Sequence, residues 1–379
     1  MGQHAHPMGE VAPLVRRPVR VEPERCYQEI GVRSFGKGVF HKPPSTSLTI
    51  GDKRVFGIEP GDLLFNVVFA WEGAVAVATE EERGAIGSHR FLTCVPDPRL
   101  ALARYLYWYF IHERGLKQLQ QASPGGAGRN RTLGVEKLAA MVVELPSISE
   151  QRKIASKLDS AVEQVRNLKA LSHAAHSEIE TVLVTAFRKI IAGAPCVALK
   201  DIAPLVRRPI AIDPDGNYPE LGIRSFGKGT FHKPSLSGIQ VGDKRLFEIC
   251  EGDLLFNIVF AWEGAVAVAG AADHGRVGSH RFLTCVPDPL RTTSSFLRFY
   301  FLTPEGMQRL GSASPGGAGR NRTLGLKGLE AISVPVPSLD AVRWFDELRQ
   351  KAIAVYVGQS DVAGELDRLM PSLMHQAFD

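Results

Sequence analysis

The sequence has no run of roughly 18 uncharged apolar residues and no signal-peptide pattern, so the chain is expected neither to span a membrane nor to cross one. Its opening, Met1-Gly-Gln-His-Ala-His-Pro-Met8, is short and polar and reads as an irregular lead-in, not as an address. Cysteine is scarce. The five present (Cys26, Cys94, Cys196, Cys250, Cys285) are odd in number and form no Cys-x-x-Cys pair, which argues against a disulfide framework and against a zinc site. Free thiols in a reducing cytoplasm fit that pattern. Cys94 and Cys285 stand in identical Phe-Leu-Thr-Cys-Val-Pro-Asp-Pro contexts, the setting of a small buried apolar side chain. Catalytic signatures are missing too. There is no Gly-x-Ser-x-Gly elbow, no His-Glu-x-x-His helix, no Asn/Asp-Pro-Pro-Tyr/Phe box and no Pro-Asp…Asp/Glu-x-Lys cluster. Any chemistry associated with this protein is expected on another chain, together with its cofactors.

What remains is a globular composition: 379 residues, 44% hydrophobic and 22% charged, enough for two or more domains with cores of their own. The formal net charge of +5 is mildly basic, which permits nucleic-acid binding without proving it.

The organising feature is a repeat. The octapeptide beginning at Gly31 (GVRSFGKG) returns at Gly222 (GIRSFGKG), and the same offset relates residues 51–78 to 242–269, 87–91 to 278–282, and 122–134 to 313–325. No insertion or deletion separates the copies across this stretch. Drift between them is uneven. Residues 79–86 and 270–277 differ in detail, as a surface loop would, whereas polar and charged residues in the shared blocks are retained. Recent duplication would also leave shared charges, so retention alone does not establish a role.

Each unit has two parts. The first, rich in glycine, proline and β-formers, reads as short strands at 54–58, 63–69 and 74–78 broken by Gly-Asp turns, with helices at 100–121 and 294–310. The second reads as one long helix. Pro146 followed by Ser147-x-x-Glu150 is a capping-box start. Ile154, Leu158, Ala161, Val165, Leu168, Ser172, Ala175, Ile179, Val182 and Ala186 then alternate steps of four and three. At the repeat offset stand Phe345, Arg349, Ala352, Tyr356, Gln359, Ala363, Leu366, Met370, Leu373 and Ala377, a seam with Arg349 and Gln359 off-pattern. The fold class is therefore α+β, with two duplicated mixed α/β domains (1–146 and 193–337) and two long helices (147–192 and 338–379) expected to pair as an antiparallel coiled coil.

Gly31-x-x-x-x-Gly36-Lys37 matches a phosphate-binding loop up to its last residue. Gly38 stands where that loop needs Ser or Thr, and residues 39–43 look extended; the second copy fails identically at Gly229. More informative is a set of basic side chains in turn-rich surroundings. Arg16, Arg17, Arg33, Lys37, His41, Lys42, Lys53, Arg54, His89, Arg90, Arg129, Asn130 and Arg131 recur as Arg207, Arg208, Arg224, Lys228, His232, Lys233, Lys244, Arg245, His280, Arg281, Arg320, Asn321 and Arg322. Guanidinium and ammonium groups suit phosphate, and Arg and Asn beside glycine suit bidentate contacts to base edges, so the set is the candidate DNA-binding surface. Solvated surface charge is the alternative for any single member. Trp71 and Trp262, between strands, read as core or as stacking residues.

This alternation of variable domain and long helix resembles the specificity subunits of type I restriction–modification systems. The junction Val143-Glu-Leu-Pro-Ser-Ile-Ser-Glu150-Gln151-Arg-Lys-Ile154 is similar to that family's Leu-Pro…Glu-Gln…Ile helix entry, whereas the second junction, residues 335–342, lacks the Glu-Gln pair. The resemblance implies two target-recognition domains that each read half of a bipartite site on double-stranded DNA. It also implies two docked methyltransferase subunits that carry S-adenosylmethionine and methylate adenine, and restriction–translocase subunits that use ATP and Mg. Residues 195–200 have no evident counterpart before Gly9, and the far end near Phe378 is expected beside that gap. A protein-interaction scaffold, or an RNA-binding protein with two copies of one reader, stays open on the residues alone.

Overall fold

The computed structural model describes residues 4–126, 131–316 and 322–378. It contains two compact units, residues 1–172 with 360–379 and residues 173–359. Each long helix therefore contributes to both units.

In the first unit a three-stranded antiparallel sheet places Leu63–Asn66 between Val75–Val77 and Phe91–Cys94. Its central strand reads Leu-Leu-Phe without alternation because both faces are covered. Leu63 and Phe65 enter one cluster with the helix Ala103–Ile111, where the Phe65 and Phe110 rings meet edge-on at 5.2 Å. Leu64 faces the other way, into a cluster with Ile30, Val32 and Ile58. The second unit repeats this division: Leu254 and Phe256 pack towards Phe301, and Leu255 towards Leu221 and Ile223. Cys94 and Cys285 are buried here as expected, and burial first, with nearby carboxylates second, pushes both thiols up to about 12.

Ile30–Val32 and Val39–His41 form a hairpin. Gly31 is required at its centre, because a Cβ there would lie 2.2 Å from the Phe40 ring. Strand follows turn at this point, so no helix N-terminus is available to hold a nucleotide phosphate.

The opening of the chain departs from its expectation. His4–Pro7 is a strand, antiparallel to Val142–Leu145 with His4 opposite Leu145. It matches Cys196–Ala198 against Ser333–Pro335 in the second unit. The lead-in thus has its counterpart after all. Only backbone pairing over a buried Val143 or Val334 is retained there, and no side-chain identity marks it in the sequence.

The long helices span Ile148–Ile191 and Leu339–Phe378. The first begins as expected, with the Glu150 N–H donating to Ser147 Oγ at 3.3 Å. Gln151, fully buried, accepts from the Leu102 N–H (3.0 Å) and donates to the carbonyls of Leu100 and Pro146 (2.9 Å each), which fastens the helix start to its domain. At the second junction Val342, equally buried, takes that place by packing.

Within each unit the two helices run antiparallel. In the first, Lys169 pairs with Asp367, while Ile154 shares a cavity with Ala377 and Phe378. In the second, His176 stacks on Tyr356 at 4.4 Å and Phe187 meets Phe345 at 5.1 Å. The seam differs from its expected positions at two places. Leu168 and Val182 are exposed, and Leu183 and Phe187 are buried instead. A straight helix drifts from a strict heptad by about 20° per repeat. Moreover, Phe187 turns towards Phe296 and Phe299 of the adjoining domain. Phe378 occupies the equivalent place in the first unit, beside Tyr105, Tyr109 and His112.

Candidate nucleic-acid interface

The basic residues divide by what the fold does with them. Arg17 holds Asp62 through two bonds (2.7 and 3.0 Å), and Arg208 holds Asp253 in the same way (2.7 and 3.1 Å). Both carboxylates are buried and also accept a backbone N–H, from Glu59 and Cys250. The hydrogen bond to the carboxylate raises each guanidinium above its ordinary pKa. These two arginines are structural anchors first.

Arg131 is likewise engaged. It donates to the carbonyls of Ser123 (3.2 Å) and Gln120 (3.0 Å), closing the C-terminal end of the helix Glu113–Ala122, and lies 4.7 Å over the half-buried Trp71 ring. Arg322 does the same with Ser314, Gly311 and Trp262. Trp71 and Trp262 therefore stack on arginine within the fold. Arg129, Asn130, Arg320 and Asn321 lie outside the described residues.

His41 reaches the buried Glu82 at 3.2 Å, and His232 reaches the buried Asp273 at 2.9 Å. Burial alone would raise Asp273. Hydrogen bonds from the Gly270 N–H, His232 and Thr230 outweigh it and leave the carboxyl below its ordinary value. The stretches that differ between the copies are accordingly not free loops. Each holds a short helical turn, Glu80–Glu82 or Ala271–Asp273, whose last carboxylate turns inward to the hairpin. Swapping Glu for Asp hides this equivalence in the sequence. Lys42 and Lys233 pair with Glu29 and Glu220 across their own hairpin edges.

What is left faces solvent. Arg33 and Arg224 are exposed and lie 4.8 Å over the rings of Phe40 and Phe231. Arg16 and Arg207 lie 4.7 and 4.5 Å over the rings of Phe56 and Phe247, with burial lowering the Arg207 pKa. Lys37 and Lys228 stand at the hairpin tips, and His89-Arg90 and His280-Arg281 at the turns before the strands Phe91–Cys94 and Phe282–Cys285. In the first unit a concavity of about 540 Å³ gathers Arg33, Lys37, Lys42, Asn66 and Arg90. In the second, one of about 600 Å³ gathers Lys244, Arg245 and His280. Lys53 and Arg54, the counterparts of Lys244 and Arg245, are exposed. Cations held over aromatic rings keep their charge outward at a fixed place, the requirement for meeting phosphates and base edges. Among the described residues, no group of His, Cys, Asp and Glu is arranged to hold a metal ion, and no helix is long and apolar enough to cross a membrane.

No family model and no curated protein matches this sequence. Solved structures do. The chain matches the HsdS subunit from Thermoanaerobacter tengcongensis with a TM-score of 0.62 at 18% identity, covering 100% of this chain and 96% of that one. It also matches a chain of a type I R-M system solved for its complex assembly and conformational transition, with a TM-score of 0.68 at 18% identity over 100% and 97% of the two chains. The fold is that of type I restriction–modification S subunits.

Proposed function

We propose that this chain is a non-catalytic DNA-specificity subunit of a type I restriction–modification complex. The observation that carries the proposal is a duplicated one. Equivalent hairpins in the two units present the same outward cations, Arg33 and Lys37 in one and Arg224 and Lys228 in the other, and equivalent turns present Arg90 and Arg281. Each domain reads half of a bipartite site, the long helices act as the spacer between the reading domains, and methyltransferase subunits docked on this scaffold methylate adenine. S-adenosylmethionine, and ATP with Mg for any restriction subunit, belong to those partners. The exposed cations supply salt-dependent affinity, and those that reach the groove supply sequence.

Because the two reading surfaces are nearly the same, they read nearly the same half-site. A two-fold arrangement of the two reading domains, by which two-fold proteins meet inverted repeats, is part of this proposal. The recognised site is then an interrupted palindrome with one adenine methylated on each strand. Co-expression with the methyltransferase subunits, followed by mapping of methylated adenines, tests this. Two unrelated half-sites or a direct repeat would refute the palindrome. Duplex binding that is absent, or competed fully by matched RNA, would refute the DNA reading itself.

A further inference from the structure

The tip of each hairpin holds an aromatic side chain in a backbone conformation that bulky residues rarely adopt. Phe35 has φ 61° and Phe226 φ 60°, and among the described residues these are the non-glycine positions with positive φ. The two residues are 72% and 74% exposed. Packing does not account for them. Glycine would take this backbone without strain, and a ring left in water contributes no burial.

The turn is nevertheless held firmly, and in the same way twice. The N–H groups of Phe35 and Gly36 donate to the carbonyls of Glu72 (2.8 Å) and Gly73 (3.0 Å), and those of Phe226 and Gly227 to Glu263 (2.8 Å) and Gly264 (2.9 Å). Ser34 Oγ donates to Glu72 Oε2 and Ser225 Oγ to Glu263 Oε2. The carbonyl of Gly36 accepts from Tyr107 Oη (2.8 Å), and that of Gly227 from Arg298 (2.6 Å). Such a frame fixes a strained residue outward, the arrangement found where strain serves a function.

We propose that Phe35 and Phe226 are wedges that insert into a base step of duplex DNA, one in each half-site. The proposal rests on the DNA-reading role above and goes beyond it. Each ring is flanked by the exposed cations Arg33 and Lys37, or Arg224 and Lys228, with the lysine Nζ 5.9 or 6.0 Å from the ring centroid. An apolar ring between cations matches stacked bases between phosphates, and inserted Phe side chains unstack a step and kink the duplex.

The test uses the full chain and a duplex selected by the wild-type protein from a random pool. The duplex is end-labelled to report bending and carries 2-aminopurine at successive steps. The wild type and the F35W/F226W variant are expected to bend it and to raise the fluorescence at one step per half-site. The F35G/F226G variant, whose glycines suit the backbone, should bind about ten-fold more weakly. Its bend and fluorescence signal should be lost, its salt slope kept, and it should melt no earlier than the wild type. Wild-type binding with an unchanged F35G/F226G bend and affinity would overturn the wedge and leave the DNA reading standing. Normal duplex binding by that variant with lost methyltransferase association would make the ring a protein contact, which also overturns it. Failure of the wild type to select any duplex would bring down both ideas together.

Discussion

The two units keep their basic surfaces alike and let their helices diverge. Along 148–187 and 339–378 the copies agree only at Arg152/Arg343, Ala161/Ala352, Ala186/Ala377 and Phe187/Phe378. Whole blocks of the domains, by contrast, are identical down to exposed cations. If the unit was copied whole, elapsed time cannot explain both rates. A helix seam needs only apolar side chains of suitable volume, so many sequences satisfy it. The anchors, turns and outward cations of the domains admit few substitutes. The two junctions teach the same lesson: Gln151 fastens one helix with three hydrogen bonds, and Val342 fastens the other by burial.

The strongest way to test the likeness is at the aromatic pair the helices do share. Phe187→Ala and Phe378→Ala should each destabilise their own unit by about 3–5 kcal/mol, as loss of a buried ring does. Hydrogen exchange resolved by unit should show the Phe187 change in residues 173–359 and the Phe378 change in residues 1–126. The reverse assignment would break the equivalence.

Next in size is a contrast between two kinds of arginine. Arg17→Ala and Arg208→Ala leave a buried carboxylate without its partner and should cost about 2 kcal/mol of stability, less than a fully buried pair because each arginine is partly exposed. Their effect on the salt dependence of duplex binding should be small. Arg90→Ala and Arg281→Ala should do the opposite, leaving the urea midpoint in place and lowering the salt slope by about one each. If the two pairs behave alike, the division between anchors and readers is wrong.

The smallest effect is expected at the thiols. Cys94 and Cys285 are pushed up to about 12 by burial, so iodoacetamide at neutral pH should modify the exposed Cys26 and Cys196 and spare both. A pKa raised in the fold means that stability is complete below the ordinary 9.0. It falls as the pH climbs from there towards about 12, because the unfolded chain releases a proton that the fold retains. Equal losses in the two units are expected in alkaline melts.

Much of this architecture was legible in the residues: the repeat, the failed phosphate loop, the helix starts and the buried cysteines. The roles of the arginines were not. Arg17 and Asp62 stand 45 residues apart, as do Arg208 and Asp253, and no local pattern announces a pairing across that distance. Arg131 reads as a phosphate contact in a glycine-rich stretch until the open end of the neighbouring helix is seen beside it. The inward Glu82 and Asp273 are hidden in the sequence because the copies disagree there, and a difference between copies looks like a free loop. The seam shifts where Phe187 packs against Phe296 and Phe299 of a domain as well as against Phe345 of the other helix.

The placement of Phe378 also sets an order of manufacture. The second unit is made entirely of residues 173–359, whereas the first needs residues 360–379 as well. On the ribosome the earlier-born domain must therefore wait with Tyr105 and Tyr109 uncovered while the later one is completed. A premature stop a few codons before position 378 would spare the domain nearest to it and injure the one made first.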